Sequence, residues 1–161
     1  MRIGVVSDTH NNMPNVRKIV SLFNQLDLQK VVHTGDITQA KTLEVFSHLK
    51  VPLHGVYGNN DLERDSLEAA VAKYGFQFTD PPLSIQWHGR ELKVVHDPRD
   101  LEDLDLSSCD LALHGHTHLR TLLRRENSLV FNPGECAGMI EGYNAIGVVD
   151  LVDLEVELIH F

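Results

Sequence analysis

The chain has 161 residues, 23 of them acidic and 14 basic, for a formal charge of −9 with neutral histidines. Its 42% hydrophobic and 23% charged content is that of a globular chain rather than a disordered one, and its acidic balance argues against non-specific nucleic-acid binding through a basic face. No apolar run is long enough to cross a bilayer, Met1–Asp8 turns polar too soon for a secretory leader, and Cys109 and Cys136 make neither a disulfide framework nor a CxxC motif.

A cytoplasmic, reducing compartment is therefore expected, and the length suits one domain over residues 1–161. Ile3–Val6 reads as an apolar strand. Pro14–Leu26 follows at helical spacing, with Val16, Ile19, Val20, Phe23 and Leu26 on one side, Asn12 placed to cap and Pro14 in the first turn. Lys30–His33 reads as a strand, Ala40–Leu49 as a helix, Leu53–Tyr57 as a strand and Leu62–Tyr74 as a helix. Such alternation predicts parallel strands with right-handed crossovers. The second half is richer in strands. Leu83–Trp87 and Glu91–Val95 flank a turn at His88-Gly89, and Leu111–His114 is a short strand. Leu119–Leu123 and Leu129–Asn132 pair around Glu126-Asn127-Ser128, and Ala145–Leu151 and Leu154–Ile159 pair around Val152-Asp153. No linker separates the halves, so they are expected to share one core.

Polar residues collect where strands end. Ser7-Asp8-Thr9-His10, His33-Thr34-Gly35-Asp36, Gly58-Asn59-Asn60-Asp61, His96-Asp97 and His114-Gly115-His116-Thr117-His118 each follow an apolar strand. In open α/β sheets that edge is where ligands bind. Taken singly these motifs are weak, since Gly-Asp is commonly a turn and His-x-His often a solvated surface. Together they offer carboxylate, amide and imidazole donors without thiolate, a set suited to Mn, Fe, Zn or Ni. Asp8, His10, Asp36, Asn59, His96, His116 and His118 are too many for one ion with open positions and about right for two ions sharing a carboxylate.

In that order the motifs resemble the calcineurin-like metallophosphoesterases, and in particular their small prokaryotic phosphodiesterases. The family pattern D-x-H, G-D, G-N-x-[DE], H and G-H-x-H is matched by Asp8-x-His10, Gly35-Asp36, Gly58-Asn59-Asn60-Asp61, His96 and Gly115-His116-Thr117-His118. The resemblance implies a fold of class α/β (α+β), two packed mixed β-sheets flanked by helices. It implies one divalent metal on Asp8, His10 and His118, a second on Asn59, His96 and His116, and Asp36 bridging them. Manganese stands first among the metals, with iron, zinc or nickel as alternatives. The implied reaction is phosphodiester hydrolysis by a hydroxide bridging two ions, with a small phosphodiester or nucleotide-like molecule as substrate. Because ligand histidines must be neutral, activity is expected to fall below about pH 6.5.

Three positions depart from the family pattern. Asn60 stands where a histidine is frequent; it can donate a hydrogen bond but cannot act as a general acid near neutral pH, a contribution typically worth about 100- to 10,000-fold. Asn60 and Asp36 are therefore the candidates for direct catalytic roles. Asp97 replaces a frequent glycine. Glu135 replaces a frequent serine after Asn132-Pro133-Gly134, and pointing inward it would disfavour a dianionic monoester more than a diester. Two other readings stand beside the diesterase: a phosphomonoesterase or nucleotide pyrophosphatase with the same metals, and a binding scaffold like the retromer subunit of this fold, which lacks a complete ligand set. His33, His48, His54, His88, His114 and His160 lie outside the pattern and read as structural or exposed, Asp61 as a supporting acceptor, and Asp100–Asp105 as a solvated face over a small apolar contact. No membrane partner is expected, and a homo-oligomer stays open.

Overall fold

A computed structural model describes residues 1–125 and 128–161. The elements in chain order are β1 (Arg2–Val6), α1 (Met13–Phe23), β2 (Lys30–His33), α2 (Ala40–Phe46), β3 (Leu53–Val56), α3 (Arg64–Tyr74), β4 (Gln77–Thr79), β5 (Leu83–Trp87), β6 (Arg90–Val94), a 3-10 turn (Pro98–Leu101), β7 (Leu111–Leu113), β8 (Thr121–Arg125), β9 (Ser128–Asn132), β10 (Ala145–Asp150) and β11 (Glu155–His160). They build two mixed sheets, one ordered β11-β10-β1-β2-β3-β4 and the other β5-β6-β7-β9-β8. This is the expected class. β1, β2, β3 and β4 run parallel, while β10 and β11 close the first sheet in antiparallel pairing.

Strand alternation splits the core into layers. Ile3, Val5, Val32, Val56 and Val149 face inward against Leu92, Val94, Leu111, Leu113 and Phe131 of the second sheet. Their neighbours Val6, Val31 and Val148 face outward beneath Val16, Ile19, Phe23, Leu43, Phe46 and Leu67 of the three helices. The central strands are thus buried on both faces, which is why they read as continuous apolar runs. A third cluster of Val95, Leu101, Cys109, Ala112 and Val130 lies under the acidic segment 100–105, with Leu104 and Leu106 packed against it. Both cysteines are buried and free. Among the described residues no helix is long and apolar enough to cross a membrane.

Local differences from the sequence reading have physical causes. α1 stops at Phe23 because Asn24 caps it, its N–H reaching Val20 O and its side chain donating to His48 O at 2.8 Å. α2 stops at Phe46, and α3 begins at Arg64 with Leu62 left exposed. β4 is an edge strand of three residues whose short pattern carries little periodic signal. Residues 126 and 127 of the expected turn lie outside the described residues.

Candidate metal centre

Every signature motif sits in a loop leaving the C-terminal end of a strand: β1, β2 and β3 of one sheet, β6 and β7 of the other. Backbone bonds tie these loops together. Asp8 N donates to Gly35 O at 3.1 Å, His10 N to Asp36 O at 3.0 Å and Gly115 N to His96 O at 3.0 Å. The buried Asp61 carboxylate pins two loops by accepting from Gly58 N at 2.6 Å, Thr38 N at 2.6 Å and Asp36 N at 3.1 Å. Asp8, His10, Asp36, His116 and His118 all have positive φ, between 40° and 66°. Left-handed backbone at non-glycine residues is held only where surrounding bonds over-determine it, and it clusters at functional sites. Here it turns each side chain inward.

The donors form two groups. In the first, Asp8 Oδ1 lies 3.5 Å from His118 Nε2 and 3.9 Å from His10 Nε2, and the two ring nitrogens are 3.3 Å apart. In the second, Asn59 Oδ1 lies 2.9 Å from both His96 Nε2 and His116 Nδ1. Asp36 reaches each group: Oδ2 is 3.3 Å from His10 Nε2 and Oδ1 is 3.4 Å from His96 Nε2. The structure therefore brings all seven sequence-derived candidates to one place.

This donor chemistry fits divalent cations. Asp8 and Asp36 are at most 1% exposed, and among the described residues neither carboxylate has a Lys or Arg partner. Buried carboxylates persist when paired or when they coordinate metal. Converging oxygen and imidazole donors without thiolate suit the harder first-row ions.

Supporting contacts fix the orientations. Ser7 Oγ donates to Asp8 Oδ2, Thr34 Oγ1 donates to Ser7 Oγ at 2.6 Å, and His116 N donates to Asp8 Oδ2 at 3.1 Å. His96 Nδ1 donates to Thr34 O at 2.9 Å, which leaves Nε2 of the neutral ring as the inward donor. His118 Nδ1 faces Glu135 Oε2 at 3.3 Å, while Glu135 Oε1 accepts from Ile140 N at 2.7 Å. The Glu135 carboxylate is thus fully buried behind His118 rather than aimed into the open site. Sequence reading singled out Glu135 but not this contact, and it missed Ser7 and Thr34, whose only signal is their place beside Asp8 and Gly35.

Asn60 donates from Nδ2 to Asp36 Oδ2 at 2.8 Å and from its backbone N to Asp36 Oδ1 at 2.9 Å. Asp97 Oδ2 lies 3.6 Å from His116 Nε2, and the Asp97 carboxylate is gripped by Arg99. That hydrogen bond holds the Asp97 carboxyl down at about 2. Burial alone would push the Asp36 carboxyl up; the adjoining His96 ring and the hydrogen bonds from Asn60 outweigh it and hold Asp36 well below the usual carboxylate range. Burial raises Asp8 despite its bond from Ser7. For His96 burial works downward, but the adjoining Asp36 carboxylate wins and raises it.

The profile of the calcineurin-like phosphoesterase superfamily domain matches residues 1–154. The phosphodiesterase MJ0936 of Methanocaldococcus jannaschii is 32% identical over 154 residues, covering 93% of each chain. The structure of an archaeal phosphodiesterase superposes with a TM-score of 0.92 at 30% identity over 100% of both chains. Yfce, a phosphoesterase from E. coli, has the same fold, with a TM-score of 0.73 at 23% identity over 99% of this chain and 98% of its own.

Proposed function

This chain belongs to the calcineurin-like phosphoesterase superfamily, and from that premise we propose that it is a phosphodiesterase dependent on two divalent metal ions. The observation that carries the proposal is the position of Asp36, one oxygen on each donor group. Asp8, His10 and His118 would hold one ion, and Asn59, His96 and His116 the other, with Asp36 shared. Manganese is the first candidate, followed by iron, zinc and nickel. Bound divalent ions supply Lewis acidity, lowering the pKa of a coordinated water and neutralising charge on phosphate oxygens.

The protein's own groups prepare this site. Asp36 is anionic across the working pH range because Asn60 donates to its carboxylate from both side chain and backbone. Glu135 and Thr34 hold the rings of His118 and His96 by their far nitrogens, so the near nitrogens point inward. One Asn60 amide hydrogen is engaged by Asp36, and the second is free to donate to a phosphate oxygen. Asn60 cannot protonate a leaving group, which favours esters whose leaving groups depart as stable anions. The diester preference is supported by the likeness to archaeal phosphodiesterase, 32% identical in the sequence match and 30% in the structural one.

The test is hydrolysis of bis-p-nitrophenyl phosphate by metal-stripped protein, with and without added Mn²⁺. Metal-dependent turnover exceeding that on p-nitrophenyl phosphate is the expected result. No turnover with any divalent metal would favour the binding-scaffold reading of the fold.

A further inference from the structure

A cleft of about 560 Å³ opens beside the second donor group and shares Asn59, His96 and His116 with it. Its outer walls come from three separate segments of chain and include Tyr57, Arg64, Asp80 and Arg99. The Arg64 guanidinium carbon lies 3.6 Å from the centre of the Tyr57 ring. Arg64 is held there by the Asp80 carboxylate and by Glu68 at 3.3 Å. Stacked over Tyr57 and tethered by two carboxylates, the guanidinium is a flat, fixed group in the wall of the cleft. Guanidinium planes in this setting stack on aromatic rings and nucleobases.

The charge in the cleft is already matched. Arg64 is paired with Asp80, and Arg99 Nε donates to Asp97 Oδ2 at 2.9 Å. Asp100 adds a further carboxylate to the lining. Nothing in this balance attracts a second phosphate group, whereas carboxylates accept hydrogen bonds from sugar hydroxyls and exocyclic amines. The cleft suits a neutral, flat group rich in donors.

Resting on the phosphodiesterase reading, we propose that this cleft receives the nucleoside of a nucleoside phosphodiester, its base stacked on Arg64, and that it selects such esters over simple alkyl diesters and over nucleoside polyphosphates. Arg64 is then a specificity residue: it touches the substrate but not the reacting atoms.

The experiment compares thymidine 5′-(p-nitrophenyl) phosphate with methyl p-nitrophenyl phosphate, which share a leaving group, in the Mn²⁺-loaded wild type, Arg64→Met and Arg64→Lys. Stacking on one base supports a preference of about tenfold or more in kcat/KM for the nucleoside ester. Both variants should lose that preference with the methyl ester unaffected, since lysine restores the charge but not the plane. A wild type without the preference, variants that keep it, a lysine variant that restores it, or an equal fall on both substrates would overturn the proposal. If the wild type hydrolyses neither ester, the phosphodiesterase reading has failed, and the cleft is judged by titrating metal-stripped protein with the thymidine ester under NMR observation. Binding present in the wild type and lost in Arg64→Met sustains the cleft, and no difference between them refutes it.

Discussion

Glu135 illustrates how a single buried side chain shapes the donor set. Its carboxylate faces His118 Nδ1 and is anchored by Ile140 N, so it fixes the ring with Nε2 turned toward Asp8 and His10. Removing such a partner typically lowers metal affinity or activity about 10- to 100-fold. Glu135→Gln is nearly isosteric and should weaken metal binding by that order; competition with a graded chelator would show it, and unchanged affinity would remove Glu135 from the site. The seven candidate donors were legible in the sequence because each follows an apolar strand in a spaced motif. The Glu135 contact was not, since it depends on how the loop after β9 returns past the loop after β7. Asn60 was legible as a hydrogen-bond donor, but its engagement with Asp36 appears only once both loops are placed.

At the level of elements, the site exists because loops from two sheets approach closely. A Cβ at Gly115 would overlap Ser7 Oγ and come within 2.8 Å of Asp8 Oδ2. A Cβ at Gly58 would overlap the Asp36 carboxylate and its backbone N. Overpacking of this kind generally costs about 1–3 kcal/mol. Gly115→Ala should therefore lower the stability of metal-stripped protein by that amount in a urea melt and also impair metal binding. A variant with wild-type values on both would show that these loops yield easily. The parallel strands and helices of the first half could be read from periodicity, because central strands buried on both faces give unbroken apolar runs. β4 could not, since three edge residues of mixed exposure leave no pattern. Helix ends also shifted, because Asn24 caps α1 through contacts with the distant segment at His48 and Lys50.

For the molecule as a whole, buried histidines outside the donor set lower stability in acid; burial depresses His114 as well as His33 and His54. His33 accepts from Gly35 N through Nδ1 at 3.1 Å, so its neutral ring donates from Nε2 to Thr9 Oγ1 at 3.1 Å. Burial lowers His33 to about 3 and His54 to about 4. Both are neutral in the native state at a pH where the unfolded chain, titrating near 6.5, binds protons. The unfolded state then holds more protons below about pH 6.5, and stability falls as pH drops toward 4. Each such histidine steepens that fall by up to about 1.4 kcal/mol per pH unit. His54 packs edge-on against Trp87 with its Nε2 unpartnered among the described residues. His54→Leu should make the pH dependence of metal-stripped protein shallower by up to one proton between pH 4 and 6.5. An unchanged slope in urea melts across that range would mean that His54 is protonated in the folded chain.

The whole arrangement of sheets, loops and donors converges on Asp36, which reaches both donor groups and is proposed as the residue shared by two metal ions. Equilibrium dialysis of wild type and Asp36→Asn against Mn²⁺, with bis-p-nitrophenyl phosphate turnover measured on the same samples, addresses that claim most directly. Two ions per wild-type chain are expected, with fewer in the variant and turnover reduced at least about 100-fold on loss of a carboxylate that reaches both donor groups. A variant that keeps two ions and full turnover would contradict that claim.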